Sequence, residues 1–550
     1  MALSLSAEQK CLNDIFAGND LYVIPSYQRA YSWEYEQCIK LYSDLMDAFE
    51  DNRDYFLGNI IIARSKRNVH HPEVVDGQQR LISIWLIFKA LSVIFPDLPV
   101  LENKTKVTSW DGLTNYIKIR SDVFESNDND WIKEVASWKL ETYNQLLENV
   151  VANGDKISPR YFKTNIKTNS VQFFYWFKDF CSRAGIDQLR MFVKWLLEEV
   201  YMLPIELSAE EQIEANAKAL TIFETINNRG LDLCDADIFK AKLYSKTIND
   251  DEKKEFIDLW VDFKNTTSGL GMSIDEVFRI YMHIARGYAG KTGTEKSLRD
   301  FFTGEYDSPL NKKGYREVLQ DLMDILSIVQ QVREQRFEEN ETGAFLQLID
   351  YYSNQYPGYA VIVFAFHNKG IDSSNENHVR FLKSIVRYCY YLGSTTSVKF
   401  EIYNIIQQIC SGKQISDYYV KVEPEYFNYL GRLKYNYALL VHYIKHPTGL
   451  TKWTIDKMLT GKDANNLPED WTGHDFYKHV DDLGNFIVID KAKKSAPYPN
   501  KRLLYMKSSI KDSAVFFQNH EVITYKDITA RSIEMKKTLV SFFKKPTENE

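Results

Sequence analysis

The stretch Val74-Val75-Asp76-Gly77-Gln78-Gln79-Arg80-Leu81 constrains this chain more than any other. An apolar run from Leu57 to Ala63 precedes it and reads as a buried strand. A second run, Leu81 to Phe95, leaves it and reads as a helix. An acid, a glycine, two carboxamides and a guanidinium thus stand without a spacer where a strand gives way to a helix. Backbone N–H groups converge at such a junction, and the place suits an anion. On that reading Arg80 clamps phosphate oxygens, Asp76 holds Mg²⁺ or accepts a proton, and Gln79 orients a water. The alternative is a polar plug that ties a strand end to a helix, with each group satisfied internally.

A second Gln-Arg pair lies upstream. Leu21 to Pro25 reads as extended, because Pro25 biases Ile24 away from helical geometry. Ser26-Tyr27-Gln28-Arg29-Ala30-Tyr31-Ser32-Trp33 then forms a loop, with Ser32 as N-cap of a helix carrying Ile39, Leu41, Leu45 and Phe49. Phe56 to Ala63, the basic turn Arg64 to Asn68 and the return Val74-Val75 make a hairpin that delivers Asp76 to its end. From Ser83 to about Leu196 the pattern is mostly helical. Val200 to Leu207 is another strand, followed by a helix from Ala209 to Thr225 and the loop Ile226-Asn227-Asn228-Arg229-Gly230. Asn227 completes a polar site there or simply belongs to a helix cap, and Asp235 caps the next helix.

Residues 250–445 carry helical periodicity with no nameable motif, as a scaffold between two working ends. From Lys445 the composition changes. Between Asp490 and Lys511 stand seven basic residues against one acid, making Lys493, Lys494, Lys501 and Arg502 candidates for phosphate contacts. A solvated lysine-rich face is the alternative.

At 550 residues the chain is too long for one core. A net charge of −7 excludes a bulk polyanion binder, so any nucleic-acid contact must come from local basic patches. The six cysteines are far apart with no CxxC pair, which argues against a disulfide framework and against a zinc finger. No secretory signal opens the chain, and the longest apolar run is too short to span a bilayer. A cytoplasmic protein with no membrane partner is expected.

Three ordered blocks now carry a resemblance: Tyr22 to Trp33 with Tyr55-Phe56-Leu57-Gly58, then Val74 to Leu81, then Phe223 to Gly230 with Asp237-Ile238-Phe239-Lys240. They resemble the N-terminal domain of the GmrSD-type restriction proteins over roughly residues 10–245. The resemblance implies an α+β, predominantly helical chain. Residues 1–245 would be a ParB/sulfiredoxin-like, nucleotide-binding domain with helical insertions, 246–445 a helical scaffold, and 446–550 a small HNH-like α+β domain. It further implies that Asp76, Gly77, Gln78, Gln79 and Arg80 form the family's DGQQR motif, which binds and hydrolyses a nucleoside triphosphate with Mg²⁺. Tyr27, Gln28 and Arg29 would lie beside it as nucleotide-binding residues, and the target would be phage DNA carrying modifications.

At the C-terminal end, Leu483-Gly484-Asn485 and the blocks around Lys501, Tyr505 and Arg531 resemble an HNH nuclease module. That module opens with a Glu-His pair, the His being the general base, but the matching residues here are Asp456-Lys457. A protonated lysine neither accepts that proton nor ligates Mg²⁺. A degenerate nuclease working with a partner nuclease follows. The rival readings are a non-hydrolysing sensor of nucleotide or modified DNA, and an active nuclease that uses His474 or His479 instead.

Overall fold

The computed structural model describes residues 5–546 except 109–113, 125, 151–155, 213, 217, 220–221, 223–234, 395–396, 429–430, 432 and 495. The chain is α+β and predominantly helical, as the sequence implies. It divides into two compact units, Met1–Asp262 with Gly314–Arg316, and Phe263–Lys313 with Glu317–Glu550.

The first unit is built on strands β1 (Leu5–Ala7), β2 (Lys10–Cys11), β3 (Tyr22–Ile24), β4 (Tyr55–Ser65), β5 (Glu73–Asp76), β6 (Lys106–Thr108), β7 (Asn115–Ile117), β8 (Ile119–Ser121) and β9 (Val200–Ala209). The main sheet runs β1-β9-β4-β5-β3-β8, with β2 also on β9, while β6 and β7 pair separately. The long strands are those the apolar runs predict. The sequence reading missed β1, β2 and β6 to β8, since two or three residues carry too little alternation to register as strands.

Ile60, Ile61, Ile62 and Ala63 of β4 are all buried, so both faces of the sheet are covered. One cover is the Gln78–Ile94 helix, whose residues Leu81 to Leu91 are buried all round. It packs against the Asn165–Ala184 helix, and Trp85 donates its indole N–H to Thr105 O at 3.1 Å. Its one charged residue past the first turn, Lys89, is pushed down to about 8 by burial. The Tyr35–Glu50 helix starts later than expected. Its cap is Glu34, whose N–H donates to Gln37 at 2.9 Å, because Ser32 turns its own N–H to Gln79.

Two irregularities shape the sheet. Ile62 pairs with Val74 but Ile61 pairs with Asp76, so Val75 is the extra residue of a β-bulge. Between Phe56 and Asn59, β4 advances one residue more than β9, and Gly58 sits there at φ +108°. The first bulge has a topological consequence. Partners across a ladder point to one face, so Glu73 opposite Ala63 and Asp76 opposite Ile61 share a face. Three residues apart in a regular strand, they would point to opposite faces. Val74, Ile60 and Ile62 point the other way, into the core under the Gln78–Ile94 helix.

The second unit contains helices including Ile274–Tyr288, Glu341–Tyr351, Tyr356–His367, Glu376–Tyr390, Val398–Cys410 and Leu433–Lys445. Beyond them, β10 (Thr454–Lys457) pairs antiparallel with β11 (Phe486–Ile489), and the helices Tyr498–Tyr505, Lys511–Asn519 and Tyr525–Phe543 follow. Trp471, Phe476, Ile487, Tyr505 and Phe517 share a core there. Asn485 ties this region together. Its fully buried carboxamide donates to Leu459 O and Val480 O at 2.9 and 2.8 Å, and accepts from Leu459 N–H at 2.8 Å.

Gly77 caps the Gln78–Ile94 helix at φ +86°, and a Cβ there would come within 3.1 Å of Asn59 O. Gly77→Ala should therefore destabilise the protein by about 1–3 kcal/mol. A chemical denaturation midpoint indistinguishable from wild type would contradict this account of the junction.

Candidate functional site

Three elements meet at the junction: the end of β5, the start of the Gln78–Ile94 helix and the loop after β3. The carboxamides join them. Val75 O, released at the bulge, accepts from Gln28 Nε2 at 2.9 Å. Gln78 Nε2 donates to Gln28 Oε1 and to Arg29 O, both at 3.2 Å. Gln79 Nε2 donates to Ala30 O at 3.1 Å, while Gln79 Oε1 accepts from Ser32 N–H at 2.8 Å and Trp33 N–H at 3.3 Å. Lys240, itself buried, donates to Gln28 O at 3.4 Å. The loop is anchored further by Tyr31, whose N–H donates to Asp128 at 2.6 Å and whose hydroxyl meets Ser83 at 2.7 Å.

The sequence reading that Gln79 orients a water is corrected here. Both ends of its carboxamide are bound to the loop, so Gln79 braces backbone and faces no solvent. Gln28 and Gln79 behave as the polar plug, and Gln78 joins them through its Nε2, while its Oε1 is buried without a hydrogen-bond partner among the described residues.

The ionic members of the motifs behave differently. Arg80 donates from Nη1 to Leu57 O at 3.0 Å, within the second bulge. A Cβ on Gly58 would displace that guanidinium nitrogen, and the positive φ there favours glycine. Asp76 is only partly buried, and burial raises its carboxyl above the usual aspartate range. Arg80, the Gly77 N–H and Arg29 pull it back. The Arg29 guanidinium makes no hydrogen bond to a described residue. Two guanidiniums thus bear on one carboxylate at a helix start that no side chain caps. Such a cluster can take an anion. Asp76 alone offers one carboxylate, which suits Mg²⁺ if phosphate oxygens and waters supply its other ligands. Tyr27 packs its ring on Tyr244 at 5.1 Å between centroids. Asn227 lies outside the described residues.

The junction thus belongs to an α+β domain with a bulged, mixed sheet and an anion-suited helix start. Residues 12–244 match the family model of the GmrSD restriction endonuclease, N-terminal domain. The chain carries that domain over residues 12–244. No curated protein matches the chain. The family match stops at 244 and does not reach residues 446–550, for which the resemblance to an HNH module is an expectation only.

In that region the four DNA candidates separate. Lys493 and Lys494 are exposed. Lys501 is fully buried, its ammonium 3.0 Å from Asp456 Oδ2, and it donates to Lys457 O at 2.5 Å. Arg502 donates to Phe517 O and His520 O at 3.0 and 2.9 Å. The expectation that Lys501 meets phosphate is corrected, because its ammonium is fully buried inside the unit, whereas Arg502 is partly exposed. Helical spacing held the signal, since Tyr498, Lys501 and Tyr505 share one face and all three are buried. Lys457 pairs with Asp481, His474 stacks on Tyr525 at 3.6 Å, and His479 meets Asp482 at 2.8 Å. Among the described residues no three His, Cys, Asp or Glu gather as a metal site.

A carboxyl raised by the fold is held more tightly protonated in the folded chain than in the unfolded one, so stability falls as pH rises through the raised value. Asp76→Asn removes that charge. Its melting midpoint should exceed wild type near about pH 8, with the gap closing toward about pH 4. A variant less stable than wild type at the higher pH would show that Asp76 is a net structural partner of the arginines.

Proposed function

We propose that this protein restricts phage DNA carrying modifications, that Asp76, Arg80 and Arg29 bind and hydrolyse a nucleoside triphosphate, and that a partner nuclease does the cutting under control of the nucleotide state. A helix start without a side-chain cap, beside which Arg80 is held on Leu57 O and Asp76 feels the positive charge of Arg80 and then Arg29, carries this reading. The restriction family to which residues 12–244 belong supports DNA as the target.

In this mechanism Arg29 and Arg80 neutralise the charge on the polyphosphate. Arg80 is already fixed by Leu57 O and needs little reorganisation. Mg²⁺, when bound through Asp76 and phosphate oxygens, supplies further positive charge at the phosphates. Water attacks the terminal phosphorus, the bridging P–O bond breaks, and nucleoside diphosphate and inorganic phosphate leave. Asp76, when not holding the metal, accepts the water's proton. Gln28, Gln78 and Gln79 hold the two loops in register. The pairing of Lys457 with Asp481, and of Lys501 with Asp456, supports assigning the cut to a partner.

One observation favours a second reading, a sensor that binds nucleotide without hydrolysing it. Gln79 is engaged on the loop and is not free to align a water. Phosphate release from ATP, GTP and CTP with Mg²⁺, with and without modified phage DNA, separates the two. Hydrolysis should fall at least about 10²-fold in both Asp76→Ala and Arg80→Ala. Release that survives in both variants would contradict the site. Nucleotide bound without release would establish the sensor.

A further inference from the structure

A cavity of about 280 Å³ opens in the first unit on the face of the sheet that carries Asp76. Its lining includes Tyr27, Glu73, Asp122, Asn216, Asp250 and Lys253. Three carboxylates stand against one ammonium, so the cavity repels phosphate, in contrast to Arg80 and Arg29, whose charge is felt by Asp76 three residues along β5 from Glu73. Asp122 is paired with Arg120, and Asp250 with Lys253, each at 2.9 Å.

Glu73 and Tyr27 differ from those surface pairs. Glu73 accepts from Asn216 Nδ2 at 2.7 Å on one carboxylate oxygen. Asn216 presents that donor because its own Oδ1 accepts from Gln212 at 3.0 Å, and Gln212 is held by Ala63 O at 3.2 Å. The carboxylate is thereby aimed, and its other oxygen has no hydrogen-bond partner among the described residues. Tyr27 is 2 % exposed, and its hydroxyl has no partner in hydrogen-bonding geometry. Gln28, the nearby amide, is already engaged with Val75 O and Gln78. Burial, then the Glu73 charge and Tyr244, hold that hydroxyl well above the usual phenol range, so it remains a donor. An unpaired buried hydroxyl costs about 1–3 kcal/mol, which a ligand acceptor would offset.

The unpartnered oxygen of Glu73 can take one N–H, and the Asn216-bound oxygen keeps a lone pair for a second, so a ligand with two neighbouring N–H donors and an acceptor beside them for the hydroxyl would satisfy both groups. Among the common nucleobases guanine has that edge: its N1–H and 2-amino group lie side by side, next to O6. Adenine and cytosine place a ring-nitrogen acceptor beside their amino group, which a carboxylate repels. Uracil has a single N–H between two carbonyls. Resting on the nucleotide reading of Asp76–Arg80, we infer that this cavity is the base pocket of the same site and selects guanine, with Glu73 reading N1–H and the 2-amino group and Tyr27 donating to O6.

The test is calorimetric binding of GTP, ITP and ATP to the full chain with Mg²⁺. ITP keeps O6 and N1–H but lacks the 2-amino group. GTP should bind about 10- to 100-fold tighter than ITP, the range for a hydrogen bond to a charged group. Glu73→Gln should erase that difference. Tyr27→Phe, which keeps the ring against Tyr244, should weaken GTP and ITP alike. Equal affinities for all three nucleotides on the wild-type chain would overturn the base pocket and leave the nucleotide site standing. No binding of any nucleotide would overturn both. The wild-type GTP-to-ITP ratio decides even if a variant fails to fold.

Discussion

The hydrogen bond from Gln28 to Val75 O is the interaction on which the junction depends. A bulge releases that carbonyl, and a buried carbonyl without a donor is expensive. β3 ends at Ile24, and beyond it the side chain of Gln28 supplies the donor that Val75 O lacks. Once Val75 is bulged and satisfied, Glu73 and Asp76 share a face, the Gln78–Ile94 helix starts where it does, and the Arg29 loop is pinned beside it. The second bulge has the same logic: Arg80 satisfies Leu57 O, and that bond fixes the guanidinium. Each Gln-Arg motif therefore repairs a break in the sheet and, in doing so, positions charge at one point.

Much of this was legible in the sequence. The strand, glycine and helix around Asp76 follow from apolar periodicity and from the turn chemistry of Gly77. The long strands β4 and β9 are continuous apolar runs. The bulges were not legible, because register between strands far apart in the chain is a property of pairing that no single window contains. Without them there was no means to place Glu73 beside Asp76, or to see that Gln79 would turn inward. Lys501 is a different failure. The basic residues between 490 and 511 invited a reading by count, although the spacing Tyr498, Lys501, Tyr505 already placed one of them on a buried helical face.

The two units carry contrasting electrostatics. In the first, two arginines are left with capacity for an anion around a carboxylate that the fold holds at a cost. In the second, charges at the corresponding points of interest are closed on one another: Lys501 with Asp456, Lys457 with Asp481, His479 with Asp482. Strained or under-satisfied groups gather where a protein acts, whereas closed pairs tend to hold structure. That contrast supports the proposal that the chemistry of this chain lies at the sheet-to-helix junction.

The most direct test of that placement is a double-mutant cycle on Arg29 and Arg80, read by binding of a non-hydrolysable nucleoside triphosphate. Two arginines neutralising one polyphosphate should each lose affinity when cut to alanine and should couple by about 1 kcal/mol or more. Binding unchanged in both single variants would contradict the account and leave the junction as structure alone.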